Sequence, residues 1–204
     1  MNNLTSAFSI YEVLRIIVPG FYFSLMLGQV TYHISKILNF NPIQGTYQIL
    51  IFVIVSIIIG ALFYAMDIPR WFKKHYSTLP SNLIEKNRES LKIELDNSER
   101  PYEDLYYQFY YSQEAPKIFK TEIQSGFFHL LMTMTFIGCV TIIIHATSLA
   151  FSLNVKEYYF LNLFVTIISI TGAIVIYKSK LRYSWKRNYD EFVEDYKKKN
   201  NFIQ

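Results

Sequence analysis

The chain has 204 residues, which is room for one membrane domain and a small soluble extension but not for several large domains. Apolar residues make up 51% of it, near the average for globular proteins, and the formal net charge is +4. The single cysteine, Cys139, excludes an internal disulfide, and no HExxH, paired-cysteine, GxSxG or glycine-rich phosphate-binding motif occurs. We therefore expect no metal site, no cofactor and no enzymatic activity.

Four mostly apolar stretches follow one another along the chain, at about residues 13–32, 47–66, 127–150 and 158–177. Each has roughly the 20 residues that a helix needs to cross the hydrocarbon core of a bilayer. The first stretch contains Pro19-Gly20, where we expect a kink. The pattern predicts an all-α integral membrane protein with four transmembrane helices. Four buried helices of a soluble protein are the disfavoured alternative, because a chain of this size rarely buries four such uncharged helices.

Lysine and arginine are distributed unevenly around these stretches. Eighteen of the 20 lie near the N-terminus, between the second and third stretches, or after the fourth, whereas only Lys36 and Lys156 lie in the other two connections. Because segments rich in Lys and Arg stay in the cytoplasm, we expect both termini there. The first stretch does not look like a cleavable signal, so we expect it to be retained.

The ends of the apolar stretches predict four regions of the chain. Residues 1–66 would hold the first two transmembrane helices, 67–125 a cytoplasmic helical segment, 126–177 the last two transmembrane helices, and 178–204 a basic cytoplasmic helix. Pro80-Ser81 and Pro116 are suited to helix starts. Apolar and aromatic residues at helical spacing predict that the third helix begins before its apolar stretch and that the fourth continues beyond it. The stripe in the fourth consists of Leu181, Trp185, Tyr189, Phe192 and Tyr196.

Aromatic residues crowd the middle segment, where six fall within ten positions: Tyr102, Tyr106, Tyr107, Phe109, Tyr110 and Tyr111. One interpretation is a helix that packs its aromatic faces against neighbouring helices. The other is a stacking surface for a nucleobase or for the side chains of a partner.

Positive charge is concentrated next to the apolar stretches on the predicted cytoplasmic side. One interpretation is that this positive charge binds anionic lipid headgroups. The other interpretation is that it binds an anionic ligand, a nucleotide or an oligonucleotide. The candidate ligand-binding residues for the second interpretation are Arg70, Lys73, Lys74, Arg182, Trp185, Lys186 and Arg187.

No apolar stretch carries a charge near its centre, which disfavours a proton-coupled or ion-coupled transporter. Thr135, Asn162 and Thr166 are the candidates to line a pore. Ser56 and Gly60, four residues apart, predict close packing of helices. Because four helices enclose too little space for a wide aqueous path, we expect a homo-oligomer, with a tetramer as the working stoichiometry.

The stretch Leu14-Arg15-Ile16-Ile17-Val18-Pro19-Gly20 opens the first span, a cytoplasmic segment follows the second, and a basic aromatic helix follows the fourth. This architecture resembles the small four-helix membrane effectors of bacterial anti-phage defence systems of the CBASS and Hailong types. The resemblance implies an effector that a nucleotide or oligonucleotide controls and that disrupts or gates the inner membrane. It implies no catalytic residue.

The leading hypothesis is therefore an oligomeric membrane pore or channel that is gated from the cytoplasm. The alternative is a non-conducting scaffold that recruits or restrains a cytoplasmic partner. A third hypothesis is a lipid-modifying enzyme that uses scattered Asp, Glu and His residues near the headgroups.

Overall fold

The computed structural model describes residues 13–37, 46–68, 79–91, 93, 101–151, 153 and 155–199. A π-helical turn at Val13–Ile17 and another at Tyr177–Leu181 accompany the α-helices. The helices are α1 (Val18–Ile37), α2 (Thr46–Ala65), α3 (Pro80–Lys86), α4 (Arg88–Leu91), α5 (Pro101–Tyr111), α6 (Ala115–Ala150), α7 (Lys156–Ile176) and α8 (Arg182–Lys199). These residues form no strand, which confirms the all-helical prediction for the described part of the chain.

Three helical runs among the described residues are long and apolar enough to cross a membrane. They are Gln48–Ala65, Pro116–Ala150 and Lys156–Lys199, the last of which joins α7, a π turn and α8. The first run matches the second predicted span to within one residue at each end, and the other two contain the third and fourth, which indicates a membrane protein. Helix α1 covers most of the first predicted span but is not among the three, so its crossing of a membrane stays a prediction.

The chain divides into two compact units, which we call the apolar unit and the aromatic unit. The apolar unit comprises Met1–Pro69 and Gly126–Ile174, and the aromatic unit comprises Arg70–Ser125 and Val175–Gln204. The chain passes between the units within α6 and near the end of α7. Helix α6 begins before its apolar stretch, and the helical run that starts as α7 continues through the π turn into α8, as the residue spacing predicts.

Helices α1 and α2 of the apolar unit pack with their backbones in contact. A Cβ atom added to Gly20 would collide with the backbone carbonyl of Ser56, and one added to Gly60 would collide with that of Ile16. The pairing of an early residue of one helix with a late residue of the other makes the helices antiparallel. Ser56 and Gly60 thus fulfil the close packing predicted from their spacing.

The start of α1 is irregular because of proline. Pro19 has no amide hydrogen to donate to the carbonyl of Arg15, and the π-helical turn at Val13–Ile17 precedes it directly. The guanidinium of Arg15 lies over the ring of Tyr64, 4.5 Å from its centre.

Helices α6 and α7 form a second antiparallel pair in the apolar unit. A Cβ atom on Gly138 would meet the side chain of Thr166, and one on Gly172 would lie 3.0 Å from Cδ1 of Leu131. Small residues again let two helices approach closely.

The apolar unit exposes large apolar side chains and buries small polar ones. Exposed examples are Ile49, Leu62, Ile143 and Phe164, of which Phe164 is 62% exposed. The buried polar residues are Ser24, Ser56, Thr133, Thr141, His145, Ser148, Asn162, Thr166 and Ser169. A protein in water buries its large apolar side chains instead, so this distribution fits a lipid surrounding.

The aromatic unit has a conventional core, in which α8 packs against α3 and α5. The buried residues of this core are Ile84, Tyr106, Phe109, Tyr110 and Phe192. From the π-helical turn at Tyr177–Leu181 to the end of α8, the buried side chains are Leu181, Trp185, Asn188 and Phe192. Tyr189 and Tyr196 are half-buried beside them, so the aromatic stripe predicted for this helix is confirmed as its packing side.

Candidate functional site

The centre of the apolar unit contains a buried polar cluster built around Asn162. This residue is 0% exposed. Its Oδ1 accepts a hydrogen bond from the hydroxyl of Tyr22. Its Nδ2 donates to Oγ1 of Thr141 at 2.7 Å and to the carbonyl of Gly138 at 3.3 Å. One side chain on α7 therefore connects α1 and α6.

Two further contacts complete this cluster. Thr166 donates from Oγ1 to the carbonyl of Asn162 at 2.7 Å. His145, which is fully buried, has Nε2 at 3.0 Å from the carbonyl of Met26. Because a carbonyl only accepts hydrogen bonds, Nε2 carries the hydrogen in this contact. The imidazole is thus a second connection between α6 and α1.

The chemistry of the cluster is that of neutral hydrogen-bonding groups. A polar group left without a partner in apolar surroundings is strongly unfavourable, which explains why amide, hydroxyl and carbonyl groups pair here. The described residues contain no group of three or more His, Cys, Asp or Glu that could hold a metal ion. If the helices separated, the same groups could hydrogen-bond water or the hydration shell of an ion.

The structure brings together two of the three predicted pore-lining residues. Asn162 and Thr166 belong to the polar cluster, whereas Thr135 is half-buried and donates to the carbonyl of Leu131 at 2.8 Å. Sequence reasoning did not assign Tyr22 and His145 to a site. The spacing of Thr141, His145 and Ser148 along one helix face was a signal that could have found the second of these.

The predicted ligand-binding residues are only partly described. Arg70, Lys73 and Lys74 lie outside the described residues. Arg182, Lys186 and Arg187 are exposed on α8. Trp185 is 5% exposed, and its ring centre lies 6.1 Å from that of Tyr177. The structure therefore gathers the basic residues of α8 on its exposed side and directs the tryptophan into the core.

The tyrosine-rich stretch forms α5, and its residues divide between two surroundings. Tyr106 and Tyr110 are buried, and burial raises the pKa of both hydroxyls. Tyr107 and Tyr111 are exposed and stack on one another with ring centres 5.9 Å apart. Helix packing accounts for Tyr106 and Tyr110, while Tyr107 and Tyr111 leave aromatic surface exposed on α5.

Polar contacts fasten the helices of the aromatic unit at the edge of its core. Lys117 on α6 forms an ion pair with Glu191 on α8. Ser184 donates to Oε1 of Gln124 at 3.0 Å. These contacts join α6 and α8 outside the aromatic core.

No family model matches the chain, and neither a curated protein nor a solved structure shows significant similarity to it. Function must therefore be inferred from the arrangement of the side chains.

Proposed function

We propose that this chain is a four-span membrane protein whose homo-oligomer forms a channel or pore opened from the cytoplasmic side. The observation that carries the proposal is the polar cluster around Asn162. It places neutral hydrogen-bonding groups from three helices inside a unit whose outer surface is apolar. Groups of this kind can replace part of the hydration of a permeating ion or water molecule.

Insertion in a membrane is supported by the exposed apolar side chains of the three long helical runs. Helix α1 is the proposed fourth span, because it packs against α2 by backbone contact at Gly20 and Gly60. The uneven distribution of Lys and Arg supports an orientation with both termini in the cytoplasm, and the resemblance to defence effectors supports a bacterial inner membrane.

The described conformation corresponds to a closed state in this proposal. Asn162 and Thr166 hydrogen-bond within their own subunit and are buried. Opening would exchange these hydrogen bonds for bonds to water, while the oligomer, with a tetramer as working stoichiometry, would supply the width of the path. Helices α6 and α7 connect the two units covalently and would transmit a change in the aromatic unit to this cluster.

The signal that we propose is a nucleotide or oligonucleotide, and the biological role is anti-phage defence. Both rest on the resemblance in architecture to defence effectors. The exposed cations of α8 support an anionic ligand. Trp185 could stack on a ligand only after leaving the core of the aromatic unit.

Thiol accessibility tests this proposal, because Cys139 is the single native cysteine. In a Cys139→Ser background, Thr166→Cys would report on the cluster, and Phe164→Cys on the exposed surface of the same helix. Purified protein would be reconstituted in vesicles and given short adenine or guanine oligonucleotides. We expect ion flux under an activating condition, and a membrane-impermeant thiol reagent should block it at Thr166→Cys but not at Phe164→Cys. Absence of flux under every condition, or equal reaction of both thiols, would reject the channel.

The scaffold remains the second candidate because of the exposed pair Tyr107 and Tyr111 on α5. Aromatic residues with a polar tip are enriched at protein interfaces. In that case Tyr107→Ala with Tyr111→Ala should abolish co-purification of a stoichiometric partner, and wild-type vesicles should show no flux.

A further inference from the structure

The first ten residues after the fourth apolar stretch contain five basic residues and no acidic one. Lys178, Lys180, Arg182 and Lys186 are all exposed. Within the part of the chain that the structure describes, none of these four forms a salt bridge. The nearby Arg187 differs, because it pairs with Glu191 at 3.8 Å.

The remainder of the same helix has a different charge pattern. After Glu157, the next acidic residue in the sequence is Asp190. Acidic and basic residues then alternate in blocks, and Lys199 forms an ion pair with Asp195 at 2.8 Å. The part of the helix nearest the apolar stretch is therefore purely basic, whereas its far end carries acidic residues before its lysines.

The positive side chains share a face of the helix that the core leaves exposed. Lys178, Arg182 and Lys186 follow one another at intervals of four residues, or about 6 Å along the helix axis. Tyr183 is 71% exposed next to them, whereas Trp185 is directed into the core. The exposed face thus combines cations with one amphipathic aromatic ring.

The first half of this face, from Lys178 to Arg182, covers about the depth of the headgroup layer of a membrane. The apolar stretch ends at Tyr177, and each headgroup layer is roughly 5–8 Å thick. Lys178 and Arg182 would therefore lie at the level of the lipid phosphates, and Lys186 could reach toward them along its flexible stem. Tyrosine is also favoured at this depth. A free oligonucleotide fits less well, because its binding relies on several stacked bases, whereas this face exposes the single ring of Tyr183 and Trp185 is buried.

We propose that Lys178, Arg182 and Lys186, with Lys180 and Tyr183 beside them, bind the phosphate groups of anionic phospholipids. This inference rests on the membrane insertion proposed above but not on channel activity. It identifies the resident partner of the exposed basic face as a lipid.

The test compares two triple variants of the full chain that remove equal charge from the two ends of the helix. The first is Lys178→Gln, Arg182→Gln and Lys186→Gln, and the control is Lys197→Gln, Lys198→Gln and Lys199→Gln. Binding of phosphatidylglycerol and of phosphatidylcholine to the detergent-solubilised protein would be measured by native mass spectrometry. Because each cation near the lipid contributes about fivefold, the first variant should lose about a hundredfold in apparent affinity for phosphatidylglycerol. The control should retain it, and binding of phosphatidylcholine should not change.

A charge-conserving variant guards against loss of folding. Lys178→Arg, Arg182→Lys and Lys186→Arg should bind phosphatidylglycerol as the wild type does. Equal losses in both Gln variants would overturn the proposal, since net charge alone would then explain binding. Displacement of bound phosphatidylglycerol by inorganic phosphate, or binding of a short oligonucleotide to this face in preference to lipid, would also overturn it. Lipid preference without ion flux would reject the channel only.

Discussion

The two units of this chain bury apolar side chains alike but differ in the polar side chains that they bury and in the large apolar ones that they expose. In the apolar unit, Asn162 is 0% exposed while Phe164, two residues away, is 62% exposed. In the aromatic unit, Phe192 is 2% exposed while lysines such as Lys186 are exposed. Lipid does not solvate polar side chains, and water does not solvate large apolar ones. The difference therefore indicates lipid around the apolar unit and water around the aromatic unit.

This difference also changes which interactions hold the helices together. Between helices in lipid there is no gain from removing apolar surface from water, so close packing and hydrogen bonds dominate. In water, burial of apolar surface contributes about 25 cal/mol per Å². Glycine and asparagine should therefore be the sensitive positions in the apolar unit, and phenylalanine in the aromatic unit.

The largest effect that we expect comes from Phe192→Ala. The ring of Phe192 lies edge-on to that of Phe109, with centres 5.6 Å apart, and its removal leaves a cavity. The free energy of unfolding should fall by about 3–5 kcal/mol. The matched control is Phe164→Ala. Because the ring of Phe164 is exposed, its removal should lower the free energy of unfolding by less than about 1 kcal/mol. Denaturation in mixed micelles measures both, and equal losses would remove the distinction between the units.

Gly60→Leu should have the next largest effect. Its side chain has no space, because even a Cβ atom would collide with the backbone carbonyl of Ile16. We expect α1 and α2 to separate partly and the free energy of unfolding to fall by about 2–3 kcal/mol. Gly28→Leu is the control, since nothing lies within 4 Å of a Cβ atom there. The two variants would be compared by thermal unfolding in detergent, and similar stabilities would show that the backbones of α1 and α2 do not touch.

The features that followed from the sequence are those that depend on local periodicity and length. Uncharged runs of about 20 residues predicted the long helices. The three- and four-residue spacing from Leu181 to Tyr196 predicted the packing side of α8. Both patterns involve residues close together in the sequence, so they can be recognised without knowledge of the fold.

The features that did not follow depend on residues distant in sequence. Asn162 and Tyr22 are 140 positions apart, and nothing in either stretch specifies that their side chains meet.

The second π-helical turn has a weak signal in the local spacing of the buried residues. Continuing the spacing of the buried positions from Asn162 to Ala173 would place the next set about one residue before the observed set from Leu181 to Phe192. A π-helical turn inserts one extra residue and so accounts for this shift.

Asn162→Leu should have the smallest of the three effects, although it removes the centre of the polar cluster. The change leaves the hydroxyls of Tyr22 and Thr141 without this partner, and hydrogen bonds between helices in membranes contribute about 0.6–1.7 kcal/mol each. We expect a loss of about 1–2 kcal/mol in mixed-micelle unfolding. Thr171→Val, on the exposed surface of the same helix, should be nearly neutral. Tyr22→Phe should lose little more once Asn162 is already leucine, because the two changes remove the same bond. Additive losses in the double variant would show that Tyr22 and Asn162 are not coupled, and the cluster would then be separate polar contacts and not one unit that opens together.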